Sequence, residues 1–310
     1  MAQQKEQPPT AGAGPAAAAQ ARPNLLTAAA FAALVGFVGA NVVAVRVINL
    51  ELSPFWAAGT RFVAASTLFF LYAWNRRLPL PRGRALGGVL LFGTLQFGVG
   101  FALIYWALQS LPAGLASVIL ALVPLFTLFF AFLAQLEPLR PRGVAGALIA
   151  AAGVAVMTGG RIGNDVSLPH LLAAVATAAS FALAVVVVKS QPQVHPAVTN
   201  AVAMLTGALI LLALSFAAGE VKAVPQEAAS WAAYLYLAFP GTIGLFGLLL
   251  YVLRRWTATG VSYQAVLSPI VATALSAWLL DEPLTGGLFL GGLLVCAGVF
   301  TGAIAGLQSR

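Results

Sequence analysis

The stretch at residues 115–157, LASVILALVPLFTLFFAFLAQLEPLRPRGVAGALIAAAGVAVM, is written a second time at residues 260–302. The register has no gap. Ser117 pairs with Ser262, Leu122 with Leu267, Pro124 with Pro269 and Glu137-Pro138-Leu139 with Glu282-Pro283-Leu284, each 145 positions apart. Gly146 pairs with Gly291 and Gly153-Val154 with Gly298-Val299 at the same offset. Each copy is an apolar span with a central proline, a polar break at Glu-Pro and a glycine-bearing apolar span. A chain written this way folds as two similar halves.

Lipid is the solvent for most of its side chains. At 61% hydrophobic and 8% charged residues, charge is too scarce for a water-facing surface, where about a quarter of residues carry it. The net charge of +8 comes from cations spread through short gaps between apolar runs. That placement marks topology; a nucleic-acid surface would gather them on one face, so no nucleic-acid partner is expected.

Residues 1–23 are rich in Ala, Pro, Gln and Gly, lack the apolar core of a signal peptide, and read as a disordered cytoplasmic tail. A helix needs about 20 apolar residues to cross the hydrocarbon core. Ten such runs follow, at about 25–47, 54–74, 85–108, 113–135, 141–159, 168–188, 196–217, 230–253, 259–280 and 285–306. Prolines punctuate the gaps, at Pro54, Pro79, Pro81, Pro112, Pro138, Pro141, Pro192, Pro196, Pro225 and Pro283. A β-barrel would instead alternate in segments of about ten residues. The expected fold is all-α and integral to the membrane, with ten transmembrane helices.

Basic residues set the orientation. With the N-terminus in the cytoplasm, inner segments hold Lys5, Arg22, Arg76, Arg77, Arg82, Arg84, Arg140, Arg142, Lys189, Arg254, Arg255 and Arg310, against Arg46, Arg161 and Lys222 outside. Twelve against three places both termini in the cytoplasm. The two copies then occupy runs 4–5 and 9–10. A shift of five helices is odd, so the copies lie inverted relative to each other, as in many secondary transporters with a site at the repeat interface. The expected division is a tail at 1–23, a first five-helix repeat at 24–160, a second at 161–306 and a short cytoplasmic tail at 307–310.

Two five-helix halves, each ending in an apolar helix, Glu-Pro and a glycine-bearing helix, with Arg61-Phe62 early in run 2, are similar to EamA-type members of the drug/metabolite transporter superfamily. The resemblance covers residues 25–306. Within the superfamily the chain looks most like the YddG-type aromatic amino-acid exporters. The resemblance implies a basket of ten helices around a central cavity, export from the cytoplasm across a bacterial inner membrane, and no ATP hydrolysis. Unlike the small four-helix multidrug members, the chain lacks a mid-membrane glutamate.

Pro124 and Pro269 fall about halfway through runs 4 and 9. A proline removes a backbone hydrogen bond and bends the helix, so these are the candidate hinges; Pro240-Gly241 in run 8 is a third break. Glu137 and Glu282 sit at helix ends and suit capping or gating. Arg61 is the one charge well inside a span. Intramembrane charge is costly and marks a functional candidate; it either holds a substrate carboxylate or snorkels to the interface.

Asn41, Gln96, Tyr105, Ser180, Tyr263 and Gln264 join Arg61 as candidate substrate-binding residues, because neutral polar groups between helices line a cavity or cross-link neighbours. Tyr105, Trp106 and Tyr263 could stack on an aromatic solute, while most other Trp and Tyr residues suit an interfacial belt. Cys296 is alone, and the two histidines form no Cys/His cluster, so neither metal nor cofactor is expected. There is no phosphate-binding Gly-rich loop and no constellation for a membrane enzyme.

The reading is a monomeric secondary exporter of small amphipathic metabolites, aromatic or other neutral amino acids above all, working by alternating access. A multidrug or other metabolite exporter of the same superfamily is the alternative; a membrane enzyme or a channel fits less well, since the continuous polar stripe of a channel is missing.

Overall fold

The computed structural model describes residues 25–135, 141–158, 167–192, 194–253, 255 and 264–301. The tail at 1–23, the Glu137-Pro138 break, Tyr263 and the last residues at 307–310 lie outside them. Every regular element among the described residues is helical. Helix α1 spans Leu25–Ile48 and α2 Pro54–Asn75. A third rod runs through α3 (Gly83–Gly93), a π-helical segment (Thr94–Gly100) and α4 (Phe101–Ala107). Next come α5 (Ala113–Leu120), α6 (Val123–Leu133), α7 (Pro141–Thr158), α8 (Leu168–Ser190) and α9 (Pro196–Ala217). An eighth rod runs through α10 (Ala228–Ala238), a second π segment (Pro240–Gly244) and α11 (Leu245–Leu253), followed by α12 (Gln264–Leu280) and α13 (Gly286–Val299).

Local sequence explains many of the starts. Pro54, Pro124 and Pro196 stand in the first turn of α2, α6 and α9, where the missing N–H costs nothing and φ is already helical. Among the described residues, six helical stretches are long and apolar enough to cross a membrane: Leu25–Ile48, Gly83–Ala107, Ala113–Leu133, Leu168–Val188, Pro196–Ala217 and Ala228–Leu249. Shorter apolar helices lie at Pro141–Met157, Leu267–Leu280 and Gly286–Val299.

The duplicated glycines do a specific packing job. A Cβ at Gly153 would lie 2.6 Å from the Gly291 carbonyl oxygen, and one at Gly298 would lie 2.5 Å from that of Gly146. Positions rise from 146 to 153 in α7 as their partners fall from 298 to 291 in α13, so the two helices run antiparallel. Small residues let the backbones meet where lipid offers no hydrophobic drive for helix association. The contact is also self-complementary: each glycine of one copy meets the counterpart of the other glycine in the second copy.

The two π segments keep the same offset. Leu95 in the first and Pro240 in the second are 145 positions apart. Such i→i+5 segments occur frequently at functional sites. Pro240-Gly241 lies in one of them, but the prolines shared by the two copies behave differently. Pro124 follows the Ala121–Leu122 turn that separates α5 from α6, whereas Pro269 sits inside an uninterrupted α12.

Candidate functional site

One end of the bundle is tied together by side chains. At the C-terminal end of α1, the Arg46 guanidinium donates from Nη1 to the carbonyls of Leu108 (2.6 Å) and Gln109 (2.7 Å), beyond the end of α4. Its Nε is 3.7 Å from Glu282. The Glu282 carboxylate accepts from the Ala113 N–H at 2.9 and 3.2 Å, at the start of α5. Asn49 donates to the Tyr105 carbonyl at 2.7 Å.

Two further carboxylates do similar work there. Glu220, just past α9, accepts from the Phe55 and Trp56 N–H groups at the start of α2 (3.1 and 2.8 Å). Glu51 accepts from the N–H groups of Gln226 and Glu227, just before α10. Three acids thus cap three helix N-termini, whose unsatisfied N–H groups and positive dipole ends favour negative charge. The capping or gating role read for Glu282 is what its contacts describe.

The Ser230 hydroxyl first, and then the Gln226 N–H, hold the Glu51 carboxyl below its usual range. A carboxyl with a lowered folded pKa stabilises the fold above its unfolded pKa and loses that contribution as pH falls through the folded value. Glu51→Gln is therefore expected to flatten part of the loss of thermal stability on acidification below about pH 4, read by unfolding scans across pH.

Inward of this network lies a cavity of about 400 Å³. Leu108 belongs to both: its side chain lines the cavity and its carbonyl accepts from Arg46. Ile48, Leu111, Ala113 and Tyr105 are fully buried around the same end. Its wall is apolar, part aliphatic and part aromatic; the rings are Phe62, Phe92, Phe97, Phe101 and Phe181, with Phe62 and Phe101 edge-on at 4.8 Å and Phe97 and Phe101 stacked at 5.9 Å. The polar groups on it are Asn41, Arg61, Gln96 and Thr242.

Three sequence candidates therefore share one cavity, Asn41, Arg61 and Gln96. Arg61 does not snorkel. It is 3% exposed, lies 4.5 Å from the Phe62 ring centroid and 5.3 Å from that of Phe101, and donates from Nη1 to the Tyr105 hydroxyl at 3.0 Å. Tyr105 and Ser180 stand behind the wall. Tyr105 holds Arg61, and Ser180 donates to the Leu95 carbonyl at 2.7 Å, in the first π segment. Asn41 does the matching work on the second π segment, donating to the Gly241 carbonyl at 2.9 Å.

Gln264 begins α12 and is not among the cavity residues; Tyr263 lies outside the described residues. The phenylalanines escaped sequence reading because nearly every position in these spans is apolar and the helical period carries no contrast. Their one visible signal was Arg61-Phe62. Trp74 and Trp278 are strongly exposed, as suits a belt, and Trp106 packs on His170 at 4.6 Å, away from the cavity.

A Cβ at Gly241 would strike the Asn41 Oδ1 and come within 3.0 Å of the Tyr236 carbonyl. Gly241→Ala is expected to turn the Asn41 amide out of its place and break its bond to the Gly241 carbonyl, a loss of about 1 kcal/mol read as a lower midpoint of thermal unfolding, with helix content by circular dichroism unchanged.

Among known proteins, the model of the EamA-like transporter family matches residues 25–159 and again residues 168–301. A probable amino-acid metabolite efflux pump of Escherichia coli K12 is 30% identical over 286 residues, 88% of this chain and 92% of that protein. Its namesake in Salmonella typhimurium is 30% identical over 275 residues, 84% of this chain and 89% of its own. The uncharacterized inner membrane transporter YedA of Escherichia coli K12 is 29% identical over 249 residues, 80% of each chain. One solved crystal structure, 21% identical, superposes over 92% of this chain and 99% of its own with a TM-score of 0.63, a likeness of fold.

Proposed function

Because this chain belongs to the EamA-like transporter family, we propose that it is a secondary exporter of small amphipathic metabolites, aromatic or other neutral amino acids above all. The observation that carries the reading is the cavity: five phenylalanine rings, three neutral polar residues and one buried guanidinium in an otherwise aliphatic wall. A phosphorylated sugar would want paired basic residues there, and among the described residues the cavity has one, Arg61. Among the described residues no carboxylate borders it, which favours a gradient-driven facilitator over a proton relay.

The protein crosses the bacterial inner membrane ten times, as two inverted five-helix halves (24–160 and 161–306) with both termini in the cytoplasm. The crosswise glycine contact of α7 with α13 and the matched π segments support that arrangement, and the name of the inner membrane transporter YedA supports the compartment. The Arg46 end then faces outward, and the cavity as described is the state closed to the outside. Substrate meets Asn41, Arg61, Gln96 and Thr242, with Tyr105 and Ser180 positioning the wall. Pro124 and Pro269 serve as hinges together with the two π segments. The unit is a monomer working in lipid, without cofactor.

Uptake of labelled phenylalanine into proteoliposomes, with and without a pH gradient, tests this. Saturable uptake indifferent to the gradient supports the facilitator. Uptake that follows the gradient contradicts the uncoupled mechanism, and no uptake of any neutral amino acid contradicts the substrate class.

A further inference from the structure

We infer that Arg61 and Asn41 are the two poles of a zwitterion site, Arg61 taking the carboxylate and Asn41 Oδ1 the ammonium of an α-amino acid whose side chain lies among the phenylalanines. The inference rests on the exporter reading and adds which chemical groups the cavity selects.

A guanidinium out of water is costly unless something balances it. Arg61 is 3% exposed and forms no ion pair among the described residues. The rings of Phe62 and Phe101 and the Tyr105 hydroxyl compensate part of the charge and hold its plane still, but none of them is an anion. Its Nε is buried without a hydrogen-bond partner. A fixed, planar, permanently charged donor group facing a cavity is suited to a carboxylate.

Asn41 supplies the complement. Its Nδ2 is committed to the Gly241 carbonyl, and Oδ1 is buried beside Gly241 without a hydrogen-bond partner among the described residues. A buried acceptor left unpaired costs free energy that a ligand N–H recovers. Both residues border one cavity with the five phenylalanines. The ligand that satisfies every part carries an anionic acceptor, a cationic donor and an apolar body.

The site therefore ranks ligands by their polar ends. Phenylalanine satisfies both poles. 3-Phenylpropionate keeps the carboxylate but leaves Oδ1 unpaired, which costs about tenfold or more in affinity. Phenethylamine keeps the ammonium and sets it near Arg61 with no anion between them, so like charges repel at low dielectric. By the same logic cationic drugs are excluded, which separates this cavity from a multidrug one.

Ligand-dependent shifts in the unfolding midpoint of the purified full-length protein, with these three compounds as probes, give the test, run beside counterflow of labelled phenylalanine in proteoliposomes. Stabilisation in the order phenylalanine, phenylpropionate, with none from phenethylamine, is expected. Arg61→Gln should abolish the response to both acids. Asn41→Ala should bring phenylalanine down to the level of phenylpropionate.

Equal stabilisation by phenethylamine, or no stabilisation by any of the three, overturns the zwitterion site. So does an undiminished phenylalanine response in a folded Arg61→Gln variant. The ranking is read on the wild-type protein, so a variant that fails to fold does not blunt the test. Counterflow of phenylalanine with no ranking overturns the site and leaves the exporter standing; ranked binding without any counterflow keeps the site and overturns the exporter.

Discussion

Gly291→Val is expected to lower the midpoint of thermal unfolding by about 5 °C, from an overpacking cost at the upper end of the usual range, about 3 kcal/mol. The added Cβ would strike the Gly153 carbonyl and the Met157 side chain. Met157 can rotate away; a backbone oxygen cannot. The helices must separate, and the contact along α7 and α13 loosens with them. Gly153→Val meets the Gly291 carbonyl at 2.6 Å from the other side and should cost as much. One residue further on, Gly292 would place a Cβ 3.8 Å from Val118, an ordinary contact. Gly292→Ala is therefore the matched control, neutral or slightly stabilising because alanine is the better helix former. Equal midpoints for Gly291→Val and Gly292→Ala would refute the close-packing role.

The second large effect concerns the Arg46 end. Glu282→Gln removes the ion pair with Arg46 and weakens the acceptor for the Ala113 N–H. Hydrogen bonds to charged groups contribute about 1.5–3 kcal/mol, so the balance between sealed and open should move by roughly 10–100-fold toward open. The readout is the rate at which an impermeant maleimide, added on the Arg46 side, labels Val45→Cys in a background carrying Cys296→Ser. Faster labelling in Glu282→Gln is expected.

Exchanging the two charges, Arg46→Glu with Glu282→Arg, should not restore sealing. Arg46 donates to the carbonyls of Leu108 and Gln109 while Glu282 accepts from an N–H, and a swap reverses both polarities. Labelling unchanged in Glu282→Gln, or sealing recovered in the swap, would count against the latch.

These contacts explain what a reader of the sequence could and could not see. The ungapped repeat announced two similar halves, and its glycines turned out to be the residues where α7 and α13 touch. Charge and polarity stand out against an apolar background, so Arg61, Asn41 and Gln96 could be picked from it, and they share the cavity. The five phenylalanines could not, because facing is written only in contrast and these spans have almost none.

Pro124 and Pro269 show a different limit. They match in sequence, yet one follows a turn and the other rides in a continuous helix. A proline removes one hydrogen bond wherever it stands; whether the helix parts there depends on what packs around it. The π segments left Pro240-Gly241 and the glycines Gly98 and Gly100 as traces, and glycine alone does not tell a π turn from an ordinary helix. The left-over polar atoms of Arg61 and Asn41 are likewise a property of three-dimensional pairing, which no spacing along the chain records.

Counterflow is the most direct test of the central claim. Proteoliposomes preloaded with unlabelled phenylalanine are diluted into a trace of labelled phenylalanine, with no ion gradient imposed. An alternating-access exporter of neutral amino acids predicts a transient accumulation of label above equilibrium that saturates with substrate and disappears when the preload is omitted. Label that only equilibrates, at the same rate with or without preload, would contradict it.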